Sequence, residues 1–222
     1  MTPARPGSRL KALRQAEEAR DIPTEVKDPE LVAKRRRQIV DAAVRLFVDK
    51  GFHKTTTREI ARAAGFSIGT LYEYVASKED VLYLVCQAIH SEMEQRIRQR
   101  LKYAGSGAAA LAGAIEAYFA VCDQMGDHIL LIYQETKSLP GESMRFVLAH
   151  EERITGIFAD LLAKGVADYS LRPLDRGEIE LMAHNIAVLG HMWTFRRWSL
   201  APRFSLEQYV ALQSELILGQ LR

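Results

Sequence analysis

The chain has 222 residues, 48% hydrophobic and 26% charged, with a formal net charge of +2. That length and composition support a sizeable core and exclude a globally disordered chain. No run approaches the roughly 18 apolar residues a membrane span needs, and the N-terminus lacks the apolar stretch of a secretory signal, so a cytoplasmic globular protein is expected. Cys86 and Cys122 each sit in an apolar helical pattern and read as reduced thiols. The net charge is modest but unevenly spread. Between Lys34 and Arg62 nine basic residues face three acids, so this segment carries +6 and the rest of the chain −4. A localised phosphate-binding face produces such asymmetry; so does a solvated helix surface, and the charge run alone leaves both open.

Residues 1–27 mix Pro, Gly, Arg, Lys and Glu and read as a flexible N-terminal extension, with a short helix conceivable around Arg9–Arg20. Arg5, Arg9, Lys11 and Arg14 would suit a minor-groove arm, although a loosely held tail is the simpler expectation. From Asp28 the pattern is helical. Asp28 is placed to cap and Pro29 to occupy the first turn, where its missing N–H costs nothing. Ile39, Ala42, Ala43, Leu46 and Phe47 then form one apolar stripe, and Gly51 closes the helix. In "TTTRE", Thr56 and Glu59 have capping-box spacing; a short helix follows, stopped by Gly65. Ser67 can cap a segment of about two turns to Tyr74. "SKED" places Ser77 and Asp80 at capping spacing before a long helix through Val81, Leu82, Val85, Ile89 and Met93.

Two short helices joined through a glycine and preceded by a longer one make a helix-turn-helix. In the second short helix the apolar commitments are limited to Ile68 or Leu71 and Val75. Gly69 lets a partner backbone approach, and Ser67, Thr70, Tyr72 and Tyr74 offer hydroxyls to phosphates or base edges. Lys78 stands in the first turn of the next helix, where backbone N–H groups favour an anion.

The stretch "RQIVDAAVRLFVDKGFHKTTTREIARAAGFSIGTLYEYVASKEDVL", Arg37 to Leu82, resembles the DNA-binding domain of TetR/AcrR-type transcriptional regulators. The resemblance implies an all-α protein in three parts: the extension, a helix-turn-helix domain over 28–77, and a ligand-binding and dimerisation domain over 78–222. It implies backbone-phosphate contacts from Thr56 and Arg58, a recognition helix carrying Ser67, Ile68, Gly69, Thr70, Tyr72, Glu73 and Tyr74, and a phosphate clamp at Lys78. Ile60 and Leu71 read as core. Val75 and Ala76 replace the aromatic and proline often found before "SK". Ile68 stands where Lys or Arg is common, which suggests contact with a thymine methyl in place of guanine readout. Glu73 either accepts from cytosine N4 or stays solvated, orienting Arg58.

From Gly107 onward the pattern is a series of helical stripes near 108–125, 127–138, 143–164, 175–199 and 205–221, with Ser205 and Gln208 another capping pair. Tyr118, Cys122, Met125, Tyr133, Phe146, His150, Phe158 and Met182 are candidate lining residues of an effector pocket, each equally at home in a plain core. Ala183, Ala187 and Gly190 are small, which lets another helix approach closely; they are read as the seam of a two-fold dimer with the last helix, the alternative being an ordinary buried helix within one subunit. His184 and His191 lack further ligands at short spacing, so no metal site and no cofactor are expected. The order from "LIYQETKSLP" to "HMWTFRRW" is also similar to the TetR-type regulators of fatty-acid degradation, which implies a fatty acyl-CoA effector. No HExxH, GxSxG or phosphate loop is present, and no enzyme activity is expected. The expectation is a homodimeric repressor released from double-stranded operator DNA by a small apolar or acyl-CoA-like effector. The rival is an all-α lipid- or small-molecule-binding protein or enzyme without sequence-specific DNA binding.

Overall fold

The computed structural model describes residues 22–100 and 105–221, and among them every regular element is helical. The suggested helix near Arg9–Arg20 and the basic arm at Arg5, Arg9, Lys11 and Arg14 lie outside the described residues. The elements are α1 (Pro29–Lys50), α2 (Thr57–Ala64), α3 (Ile68–Tyr72), α4 (Lys78–Arg100), α5 (Gly107–Gln124), α6 (Gly126–Glu135), a 3₁₀ turn (Thr136–Ser138), α7 (Gly141–Ala167), α8 (Arg176–Phe195), α9 (Arg197–Leu200) and α10 (Leu206–Gln220).

The capping signals operate as expected. The Asp28 carboxylate accepts from Glu30 N and Leu31 N at the start of α1, with Pro29 in the first turn. Thr56 and Glu59 close a full capping box on α2, and Ser205 and Gln208 close another on α10. Ser67 Oγ accepts from Thr70 N at α3. At α4 the Ser77 hydroxyl accepts from Asp80 N, and the Asp80 carboxylate reaches back to Ala76 N. One expected helix is interrupted: the 175–199 stripe breaks at Arg196 (φ −110°), leaving α9 as a separate single turn.

The chain forms two compact units. The first comprises residues up to His90 together with Leu131–His150. In it α1 buries Val32, Ile39, Ala42, Ala43 and Phe47, α2 adds Ile60 and Ala61, and α3 adds Leu71. Phe47 and Phe52 meet edge to face, centroids 5.3 Å apart. Gly65 adopts the left-handed conformation (φ +79°) that a side chain would resist. Phe66 N–H then donates to Ala61 O at 2.8 Å, and the chain turns tightly enough to start α3 two residues later.

The second unit comprises Ser91–Leu130 and the chain from Glu151 onward. α5 is its centre, packed against α8 and α10. It is apolar almost all round and buries ten of its eighteen residues, the pattern of a helix with neighbours on every side. Tyr118 stacks edge-on against Phe158 at 5.2 Å, and its hydroxyl lies 2.7 Å from His191 Nε2. The Tyr209 hydroxyl, pushed up to about 12 by burial, donates to Leu189 O and ties α10 to α8.

Ala183, Ala187 and Gly190, read from the sequence as a dimer seam, are buried inside this unit. A Cβ at Gly190 would stand 2.5 Å from Tyr118 Cε1 and 3.1 Å from Cys122 Sγ. The small residues admit α5, not a second copy, and the seam assignment is corrected. The outward face of α8 is larger and apolar at Leu181 and Val188, and α10 exposes Leu212 and Leu216.

Candidate nucleic-acid interface

The three threonines of "TTT" take three different tasks. Thr55 is buried, and its hydroxyl donates to Gly51 O at 2.8 Å, locking the α1–α2 turn. Thr56 caps α2: its hydroxyl donates to Glu59 Oε2 at 2.8 Å and accepts from Glu59 N at 3.3 Å. Thr57 points across to α3, its Oγ1 3.2 Å from Tyr72 Oη. The Glu59 carboxyl is held down at about 2, first by its hydrogen bond from Lys50 and then by those from the Thr56 backbone and side chain. The start of α2 is therefore rigid and carries a fixed carboxylate, with Arg58 exposed beside it.

α3 buries only Leu71. Ser67, Ile68, Gly69, Tyr72 and Glu73 are exposed, and Thr70 is partly so. Ser67 and Thr70 hydroxyls pair at 3.0 Å, and Tyr72 leaves about half of its surface open. Gly69 is informative because the fold does not require it. An added Cβ would meet nothing nearer than Ser67 Oγ at 3.7 Å. The arrangement presents an apolar patch at Ile68, a bare backbone at Gly69 and hydroxyls on both sides, which suits a base edge and its flanking phosphates.

Two residues sit differently from expectation. Tyr74 is 4% exposed and belongs to the core of the unit, so it is corrected from an open hydroxyl reader to a packing residue. Its carbonyl accepts from Arg36 Nε at 3.1 Å. Lys78 Nζ donates to Phe52 O and Thr55 O at 3.0 Å each and to His53 O at 3.4 Å, while lying 4.3 Å from the Phe52 ring centroid. An ammonium has three donors. All three are committed, so Lys78 holds the α1–α2 turn onto the start of α4 and is corrected from a free phosphate clamp to a tether. The same turn is held from another side, where His53 Nε2 lies 3.5 Å from Glu135 Oε2.

Residues the sequence reading missed are Thr57, Arg36 and Thr24. Thr57 was hidden inside a run of identical residues. Arg36 lies in a basic run that reads as phosphate-facing, yet it donates inward to Tyr74 O and to Ile22 O at 2.6 Å. The Thr24 hydroxyl donates to Glu73 O at 2.7 Å. Residues 22–27 are thus pinned at their start, where a loosely held extension was expected.

The candidate pocket residues divide between the units. Tyr118, Cys122, Met125 and Phe158 are buried and Met182 half-buried in the second, where burial pushes the Cys122 thiol far up. In the first, Phe146 and His150 are buried with rings 4.2 Å apart, while Tyr133 is half exposed. Among the described residues no group of three metal-ligating side chains occurs, and no helix is long and apolar enough to cross a membrane.

Residues 39–83 match the family described as bacterial regulatory proteins, tetR family, and residues 104–198 match the tetracyclin repressor-like C-terminal domain. The chain is 32% identical over 192 residues to the HTH-type transcriptional regulator HbdR of Aromatoleum sp. (strain CIB), covering 86% of this chain and 82% of that protein. Its fold resembles that of FadR from Bacillus subtilis in complex with stearoyl-CoA (TM-score 0.71, 20% identity, 84% of this chain and 99% of that one). It also resembles AibR in complex with isovaleryl coenzyme A and operator DNA (TM-score 0.69, 19% identity, 83% and 98%). A helix-turn-helix with an outward-facing second helix, a helical second unit and these matches lead to one conclusion: the chain belongs to the tetR family of bacterial regulatory proteins.

Proposed function

We propose that this protein is a ligand-responsive transcriptional repressor that acts in the cytoplasm as a homodimer on double-stranded operator DNA. Residues 28–77 are its DNA-binding domain and 78–222 its ligand-binding and dimerisation domain. The observation that carries the reading is α3: a five-residue helix with one buried side chain and a glycine that no intramolecular neighbour requires. Arg58, Ser67, Ile68, Gly69, Thr70, Tyr72 and Glu73 meet the DNA. Thr56 and Lys78 act indirectly, by fixing α2 and the α1–α2 turn.

The dimer forms through the exposed faces of α8 and α10. Leu181 and Val188 lie one heptad apart on α8, Leu212 and Leu216 one turn apart on α10, and Tyr209 ties the two helices together. A two-fold axis would make this one isologous four-helix contact; two recognition helices that read consecutive major grooves stand about 34–36 Å apart. The effector is a small apolar or acyl-CoA-like molecule, the second option in line with the stearoyl-CoA and isovaleryl coenzyme A that FadR and AibR hold. It acts only through unequal affinity for the DNA-bound and released conformations. A coupling of about 1–3 kcal/mol changes operator affinity roughly 5- to 150-fold.

The test is selection from a pool of random duplexes, followed by titration of the selected complex with acyl-CoAs of 8 to 18 carbons. Enrichment of an inverted repeat with half-sites about one turn apart is expected, with release by part of the acyl series. No enrichment would sink the DNA-reading function; a complex intact through the whole series would sink the effector class alone.

A further inference from the structure

α3 secures its own start but not its own end. Ser67 caps the first turn. At the other end Tyr74 N–H and Val75 N–H both donate to Leu71 O, at 3.1 and 3.3 Å. The next carbonyls, of Glu73 and Tyr74, take their hydrogen bonds from elsewhere in the chain. A helix of five residues has almost no stability of its own, so what meets its last carbonyls decides how firmly it is held.

Two side chains meet them. The Thr24 hydroxyl donates to Glu73 O at 2.7 Å and accepts from Val26 N at 3.2 Å, which fixes its orientation. Arg36 donates from Nε to Tyr74 O at 3.1 Å and from Nη2 to Ile22 O at 2.6 Å. One planar guanidinium thus joins the segment before α1 to the chain leaving α3, a geometry a single ammonium does not supply. The joint is buried: Ile22 is 1% exposed and Tyr74 4%. Lys34 and Arg37, in the same basic run, are exposed, so Arg36 alone of the three turns inward. A link that only led into α1 would need neither the buried isoleucine nor the shared guanidinium. What is held is the backbone just behind Tyr72 and Glu73, both exposed. Base readout depends on hydrogen bonds of narrow geometry, so a loose end there would blur it.

We propose that Thr24 and Arg36 are positioning residues for DNA reading: without touching DNA, they fix the end of α3 and with it the base preference of the protein. The proposal rests on the DNA-reading role of α3.

The experiment compares the full chain with Thr24→Val, Thr24→Ser and Arg36→Met. Each is followed by thermal unfolding, by amide hydrogen exchange, by salt titration on a duplex of arbitrary sequence, and by binding to the parent's selected operator and its single-base-pair substitutions. Thr24→Val should keep its thermal midpoint within roughly 4 °C of the parent and exchange the amides of Tyr72 to Val75 faster. Its operator affinity should fall about three- to tenfold, the size of one hydrogen bond, and the affinity lost per substituted base pair should shrink. Thr24→Ser keeps the hydroxyl and should behave as the parent. Arg36→Met should lose about tenfold or more on the operator, with the same loss of base preference. Its salt slope on the arbitrary duplex should equal the parent's, although a cation is gone; a phosphate contact would take about 0.9 from that slope. A lower slope would make Arg36 a phosphate contact and overturn its assignment. Unchanged base preference in Thr24→Val and Arg36→Met, or Thr24→Ser as weak as Thr24→Val, would overturn the positioning role. Thr24 is exposed, so its two variants decide the matter even where Arg36→Met unfolds. If the parent selects no operator, the reading role of α3 fails and this one with it; a parent that selects one while the variants match it sinks the positioning role alone.

Discussion

Gly69 and Gly190 are the same residue kept for opposite reasons. Around Gly69 the molecule is open: a Cβ would meet one hydroxyl at 3.7 Å. Around Gly190 it is closed, and a Cβ would press to 2.5 Å of the Tyr118 ring. The contrast extends to the elements that carry or surround them. α3 buries one of its five residues, whereas α5, against which Gly190 packs, buries ten of eighteen. An isolated helix shorter than about 12–15 residues is marginal in water, so α3 owes its shape to Ser67, Leu71 and the carbonyl anchors at its end. α5 is held by burial. A region kept for recognition and a region kept for stability are distinguishable by what each glycine would meet if it were filled.

Four measurements test that contrast. Phe158→Ala empties the ring contact beneath Tyr118 and should cost about 3–5 kcal/mol in denaturant unfolding; a loss below 1 kcal/mol would mean the second unit is not closely packed there. Gly190→Val drives a side chain into Tyr118 and should cost about 2–3 kcal/mol, read from the same unfolding curves. Gly69→Ala should behave oppositely. It should leave stability unchanged or raise it by about 0.5–1 kcal/mol, while operator affinity falls about tenfold or more, one decade being 1.4 kcal/mol. Unaltered affinity would show that nothing outside the protein approaches Gly69.

The smallest effect is on pH dependence. The Glu59 carboxyl lies lower in the folded protein, about 2, than its ordinary 4.5. The folded state then binds fewer protons, so this contribution is complete above about 4.5 and is lost as pH falls toward 2. Thermal midpoints of the parent should decline more steeply across that window than those of Glu59→Gln. Parallel declines would remove Glu59 from the account of α2.

The fold is largely legible in the sequence. Helix ends are written in short polar signals: Asp28, Thr56 with Glu59, Ser67, Ser77 with Asp80, and Ser205 with Gln208 all cap as their spacing implied. A cap acts over three or four residues, so sequence distance is enough to read it. The site was legible in part. The exposed positions of α3 followed from how few apolar residues it holds. Tyr74 did not, because an aromatic with a hydroxyl suits both a core and a groove, and Arg36 together with the docked segment at Ile22 decides between them. Lys78 did not either, since a long cationic side chain can reach a phosphate or three carbonyls 23 to 26 residues away with equal ease.

α8 shows the boundary most clearly. Its sequence carries two apolar faces, one small at Ala183, Ala187 and Gly190 and one larger at Leu181 and Val188. Periodicity reports that both exist and is silent on which meets α5. Only the position of Tyr118 settles that, because close approach of two helices is a property of the pair. Short-range signals in the sequence were enough to place most helix starts, the segment that carries the positive charge and the helical character of every regular element among the described residues, though not the break at Arg196. The tertiary structure decided which faces are inside, which cations are spent on carbonyls and where the N-terminal chain is fastened. Caps and charge are local quantities; burial and hydrogen-bond commitment depend on what distant residues bring to the same place.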